Sequence, residues 1–128
     1  MDSDPINLVN NARKDLQTVI NLVNTYERTR DVDVLNDIVK LSLSIYDNAI
    51  KAFLAVKGIR VRDLDYLVQV AHDFIPSEII SSDLRDFLIK CSSTVCSADS
   101  IVTRVRDLDR LVDYVHTAST HRAVHNGL

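Results

Sequence analysis

A chain of 128 residues, 46% apolar, with only two glycines and two prolines, is long enough for one domain that buries roughly two-thirds of its unfolded surface. It lacks the turn residues that a sheet-rich fold requires. A net charge of −3 argues against a protein that holds nucleic acid mainly by coating phosphates with positive charge. No apolar run approaches the roughly 20 residues of a membrane span. The opening MDSDPINLVNNARK also lacks the charged-then-apolar order of a signal peptide. The expectation is a single cytoplasmic all-α domain over 1–128 that does not engage membranes, with a core over about 5–116.

Asp4-Pro5 is a helix start, because aspartate caps free amides and proline is tolerated at the first helical position. Val9, Ala12, Leu16, Val19, Val23 and Tyr26 then step by 3, 4, 3, 4, 3, a heptad-like stripe that predicts a first helix to about 26–30. The charged run ERTRDVD makes the turn, with Asp31 or Asp33 capping the next helix.

The stretch from Leu35 to Gly58 is the expected centre of the fold. Leu35, Ile38, Ile45, Ala49, Ala52, Phe53 and Val56 stack on one side of a helix, and Leu41, Ile50 and Leu54 widen the apolar arc. A helix apolar over so wide an arc must be buried on more than one side. Gly58 can take the left-handed conformation that stops it, with Lys57 complementing the last carbonyls.

Asp63 is the predicted cap of a shorter helix through Leu64, Leu67, Val68 and Ala71, ended by Pro76. Ser82 starts another with Leu84, Phe87, Leu88 and Cys91, and Ser97 with Asp99 marks a restart. In the last helix Ile101, Val105, Leu108, Val112 and Val115 step by 4, 3, 4, 3, a second heptad-like seam. The polar segment 117–128 is expected to fray. Cys91 and Cys96, if they share a helix, are separated by about 7.5 Å of axial rise. That distance is too long for a disulfide, so both are read as reduced.

RVRDLDYLVQVAH at 60–72 recurs as RVRDLDRLVDYVH at 104–116, with nine of 13 positions identical. The match ends abruptly upstream, which favours convergence of two capped amphipathic helices over duplication of a unit. The aspartates of both RDLD segments are accordingly placed in helix first turns, as caps and not as Mg²⁺ ligands.

The run SIYDNAIKAFLAVKGIRVRDLDYLVQVA resembles the second and third helices of HEPN domains, small helical bundles found beside minimal nucleotidyltransferases and in many toxin and defence systems. The matching residues are Ala49, Lys51, Ala52, Phe53, Leu54, Lys57 and Gly58, with Arg62-Asp63-Leu64 at the family's H-D-L position. The long first helix and the closing amphipathic helix fit the same layout. The resemblance implies an up-and-down bundle of four to five helices with a nucleotidyltransferase or an RNA-handling partner, and the two heptad-like seams, which offer more apolar helix edge than one small bundle needs to bury, predict that it acts as a homodimer.

Ribonuclease members of that family place an arginine and a histidine four to six residues apart near the start of the last helix. Two such motifs meet across a dimer to move the proton and bear the phosphate charge of RNA cleavage. The corresponding region here, LIKCSSTVCSADSIVTR, contains no histidine. One literal match exists, Arg110 with His116. It falls late in the helix, where six positions turn the two side chains about 120° apart. Asp113 is within i,i+3 reach of His116, which suits a histidine at the solvent edge.

The cations Lys51, Lys57, Arg60 and Arg62 have no acidic residue among positions 51–62 and form the candidate contact for an acidic partner, RNA or a nucleotide phosphate. Tyr46, Tyr66 and Tyr114 could add stacking. His121 and His125 have chelating i,i+4 spacing without a third ligand, and Cys91, Cys96 and His72 lack a fourth. No glycine-rich phosphate loop occurs, so no metal and no cofactor are expected. Together these residues predict a non-catalytic HEPN-like accessory module. The alternatives are a metal-independent ribonuclease using Arg110 and His116, and a small helical subunit of a nucleoprotein complex.

Overall fold

The structure, a computed structural model, describes residues 5–59, 69–76, 79, 80 and 82–126, the side chains of 82 and 121–126 excepted. The described residues form an all-α bundle without strands. Its long helices are α1 (Pro5–Thr29), α2 (Val32–Val56), α3 (Ser82–Ser93) and α4 (Ala98–Asn126). Residues 69–71 are also helical. The expected caps at Asp4 and Asp63, with Leu64, Leu67 and Val68, lie outside the described residues, as does the side chain of Ser82.

The α1–α2 hairpin turns on two residues. Arg30 adopts a left-handed φ of 57° and donates its N–H to Tyr26 O at 2.7 Å, while its guanidinium lies 5.6 Å from the Tyr26 ring centroid. Asp31 is the N-cap of α2, its carboxylate accepting from the Asp33 amide at 2.9 Å. At the other end, Gly58 has a φ of 74°. Ile59 N–H bonds Leu54 O at 2.8 Å and Gly58 N–H bonds Ala55 O at 3.0 Å. These are the paired bonds by which a left-handed glycine closes a helix.

The helices run alternately up and down. α1 and α4 are antiparallel, since Arg13 meets His116 while Ile20 shares a groove with Asp109. α2 and α4 run the same way: Phe53 faces Tyr114, and Val39 shares a cleft with Ile101. α2 touches each of the other three long helices. Its wide arc is accordingly buried, with Ile38, Ile45, Tyr46, Ala49, Ile50, Ala52, Phe53 and Leu54 all at 1% exposure or less. An ion pair between Arg85 Nε and Asp47 Oδ1 at 2.9 Å, mostly shielded from solvent, fixes α3 on α2.

Both heptad-like seams are consumed within the chain. Val9, Ala12, Leu16, Val19 and Val23 are buried, and so are Ile101, Val105, Leu108, Val112 and Val115. They form one core with α2, so neither seam is left over for a second copy.

Three expectations are corrected. First, Cys91 and Cys96 form a disulfide, with Cα atoms 5.4 Å apart. The axial-rise argument fails because α3 ends at Ser93 and the chain turns back, bringing Cys96 beside the last turn of α3. Second, Asp107 and Asp109 stand well inside α4, which starts at Ala98, so they are not first-turn caps. Asp107 instead pairs with Arg104 at 3.4 Å, and Arg104 reaches Asp83 of α3 at 3.0 Å and lies over Phe87. The first RDLD segment lies outside the described residues. Third, the helix does not fray after 116 but continues to Asn126, with Ser119 only 3% exposed. The restart is as expected, with Ser97 Oγ accepting from the Ser100 amide at 3.2 Å.

Candidate functional site

Leu111, Val112 and Val115 take the inward side of α4. Helical spacing therefore turns Arg110, Asp113, Tyr114 and Thr117 toward the surface. With Ala118, and with Ile79 from the α2–α3 connection, they line an open cleft of about 460 Å³. Tyr114 is half-buried because its ring packs on Phe53, centroid to centroid at 6.1 Å. On Phe53 also lies the Lys57 ammonium, 5.6 Å from the ring centroid. A core aromatic, 1% exposed, thus carries the Arg110 cleft beside it through Tyr114 and an exposed lysine at the end of α2.

Of the expected basic cluster, the structure brings Lys57 to this aromatic pair and leaves Lys51 exposed on a different side of α2, as a separation of six helical positions requires. Arg60 and Arg62 lie outside the described residues, as do Tyr66 and the side chains of His121 and His125.

Arg110 and His116 do not converge. Asp113 lines both the Arg110 cleft and a second, smaller groove of about 180 Å³ between α1 and α4, whose wall includes Arg13, Gln17 and Asp109. His116 makes its hydrogen bond with Arg13, not with Asp113: Arg13 Nη1 donates to His116 Nε2 at 2.9 Å. A guanidinium only donates, so Nε2 is the acceptor in this bond. The two residues are 103 positions apart. The signal for the pair was the place of Arg13 next to Ala12 at the edge of the first seam. Using it requires the antiparallel register of α1 on α4.

Tyr46 is not available for stacking. It has no exposed surface, and burial, reinforced by the neighbouring Asp47 charge, pushes its hydroxyl up to about 12. That hydroxyl has no hydrogen-bond partner, nor does the buried hydroxyl of Ser42 one turn earlier on α2. Among the described residues no group of three histidine, cysteine or acidic side chains is placed to hold a metal ion. No helix among them is long and apolar enough to cross a membrane. No protein-family model, curated protein or solved structure matches this chain.

Proposed function

We propose that the chain is a non-catalytic, HEPN-like binding module whose Arg110–Tyr114 cleft, with Lys57 over the adjoining Phe53 ring, receives a phosphate-bearing partner, RNA or a nucleotide presented by a nucleotidyltransferase. The observation that carries this reading is the ordered row of Lys57, Phe53 and Tyr114 beside Arg110. Such a row offers two cations and an aromatic face, the combination that holds backbone phosphates and stacked bases. The Asp113 carboxylate, one turn from Arg110, repels phosphate on its own side and so orients the ligand. As a homodimer the module would pair along the edge of α1 beside its groove with α4, where Ile6 and Ile20, two heptads apart, are each 37% exposed.

The test is fluorescence anisotropy with a labelled single-stranded RNA across a salt series. Lys57→Gln with Arg110→Gln should weaken binding at least fivefold and lower the salt slope by about 0.7 per lost phosphate contact. Unchanged affinity and slope refute the assignment. Light scattering that shows a strict monomer at high concentration refutes the dimer.

A metal-independent ribonuclease is the second reading. Its support is the Arg13–His116 contact, which puts an imidazole next to a guanidinium able to bear phosphate charge; Nε2 takes a proton only once Arg13 swings from it to the phosphate. Cleavage of a mixed RNA pool that disappears in His116→Ala would establish it. No cleavage by the unmodified chain removes it.

A further inference from the structure

At the far end of the bundle from the Arg110 cleft, the chain leaves α3 at Ser93 and enters α4 at Ala98 through a short corner. The Cys91–Cys96 bond closes that corner. Its two sulfurs sit in unlike surroundings. Cys91 is 5% exposed and lies in the last turn of α3, turned into the core. Cys96 is only half-buried and lies just ahead of α4, so it is the sulfur that a reductant can reach. Beside it Val95 is fully exposed. The corner lines a cleft of about 280 Å³ together with Leu35, Val39 and Ile101. Val39 and Ile101 are each only 2% exposed, so the bonded corner roofs this part of the core.

The covalent ring spans only six residues, from Cys91 to Cys96, and closing so short a ring constrains the unfolded chain little. Of the core residues, Cys91, Val39 and Ile101 belong to the corner, while most of the rest of α1, α2 and α4, together with Ala71, Ile75, Ile80, Leu84 and Leu88, pack away from it. Breaking the bond therefore loosens one corner and leaves the bundle standing.

We propose that Cys91 and Cys96 form a reversible redox couple that opens and closes this corner, with a dithiol as the reductant. A reductant thiolate attacks the accessible Sγ of Cys96, the Sγ–Sγ bond breaks, and Cys91 leaves as a thiolate that takes a proton. The second thiol of the reductant, as its thiolate, then attacks the mixed disulfide. The reductant leaves as its own disulfide, and Cys96 is released and protonated. Two electrons pass to the cysteine pair and the dithiol is oxidised. Reduction frees residues 92–97 and uncovers the Leu35–Val39–Ile101 cleft; oxidation reseals it. The inference stands apart from the phosphate-binding reading, since it shares no residue with that cleft.

The experiment treats the purified chain with dithiothreitol or with oxidised glutathione and reads three signals: thiol alkylation by mass spectrometry, amide hydrogen exchange and far-UV circular dichroism. In the reduced form both cysteines should alkylate. Exchange should speed at least tenfold over 92–97 and the first turn of α4, while helix content and exchange in the middle of α2 stay unchanged. Reoxidation should restore the starting pattern. Cys91→Ala with Cys96→Ser should show the reduced pattern and ignore the dithiol. If that double variant fails to fold, or if reduction melts the whole helix signal, the bond is a global staple and the proposal is overturned. Equal exchange over 92–97 in both redox states overturns it too, as does a pair that never bonds under oxidising conditions.

Discussion

Phe53→Ala tests the packing on which the candidate site depends. Phe53 is 1% exposed, sits in the last turns of α2, and carries the Tyr114 ring on one side and the Lys57 ammonium on another. Truncating a buried phenylalanine to alanine costs about 3 to 5 kcal/mol through lost transfer energy and the cavity left behind. The tilted contact with Tyr114 is worth about 0.5 to 1.5 kcal/mol of this, and the exposed lysine about 0.5 to 1 kcal/mol. Simple burial therefore dominates. Phe53→Leu, which keeps most of the volume, should lose only about 1 to 2 kcal/mol. Urea unfolding followed by circular dichroism measures all of these, and the slope with denaturant should stay constant if only the native state changes. A double-mutant cycle of Phe53→Leu with Tyr114→Leu isolates the ring pair. A Phe53→Ala cost below about 1 kcal/mol would mean that the wrong face of α2 has been placed inward, and the row from Lys57 to Tyr114 would fall with it.

Tyr46→Phe should stabilise the chain by about 1 kcal/mol at neutral pH, because the hydroxyl removed is buried without a partner. A loss of stability would show that the hydroxyl is bonded after all. Since the folded state holds the Tyr46 proton up to about 12 against 10 in the unfolded chain, the contribution of Tyr46 to stability should be constant below pH 10 and be lost between about pH 10 and 12. That decline should be weaker in Tyr46→Phe when urea midpoints are compared across pH. The two left-handed helix ends predict opposite signs. Gly58→Ala should cost about 1 kcal/mol, because the φ of 74° is strained for any side chain even though an added Cβ meets nothing within 4 Å. Arg30→Gly should gain about 0.5 kcal/mol, because its φ of 57° already suits glycine. Thermal unfolding of both variants reads the sign directly, and equal signs would refute the argument. Removing the disulfide as Cys91→Ala/Cys96→Ser should cost about 2 kcal/mol, the loop-closure value for a ring this short, as read by urea unfolding under oxidising conditions.

The helices were legible because their apolar spacing admits one answer. Every residue of the two 3–4 seams except Tyr26, which is half-buried, lies in the core, and Asp31 and Gly58 start and stop α2 where their chemistry suits. What the spacing could not give is the relation between segments. The disulfide was missed because helical rise was applied across a helix end, and the Arg13 partner of His116 because it depends on the register of α1 against α4. The RDLD echo misled for a related reason. A local pattern was taken to occupy the same place in two helices, whereas Asp107 and Asp109 lie deep within α4. Nor did the pattern separate a seam that seeks another chain from one that is spent at home, since both look alike until the neighbours are known.

The two surfaces proposed to act, the redox corner and the Arg110 cleft, lie at opposite ends of α2. The corner packs near Leu35 and Val39, and the cleft is reached through Phe53. Eighteen helical positions between Leu35 and Phe53 span about 27 Å. Coupling over that distance needs an element with two alternative arrangements that both ends can bias. α2 offers none: it is continuous from Val32 to Val56, contacts every other long helix and is buried through its middle. Opening the corner should therefore leave the cleft unaltered. RNA affinity measured by anisotropy should agree within twofold between oxidised and reduced chains, even while exchange over 92–97 changes strongly. A shift greater than fivefold would show that α2 itself moves, and would turn two independent surfaces into one redox-controlled binding site.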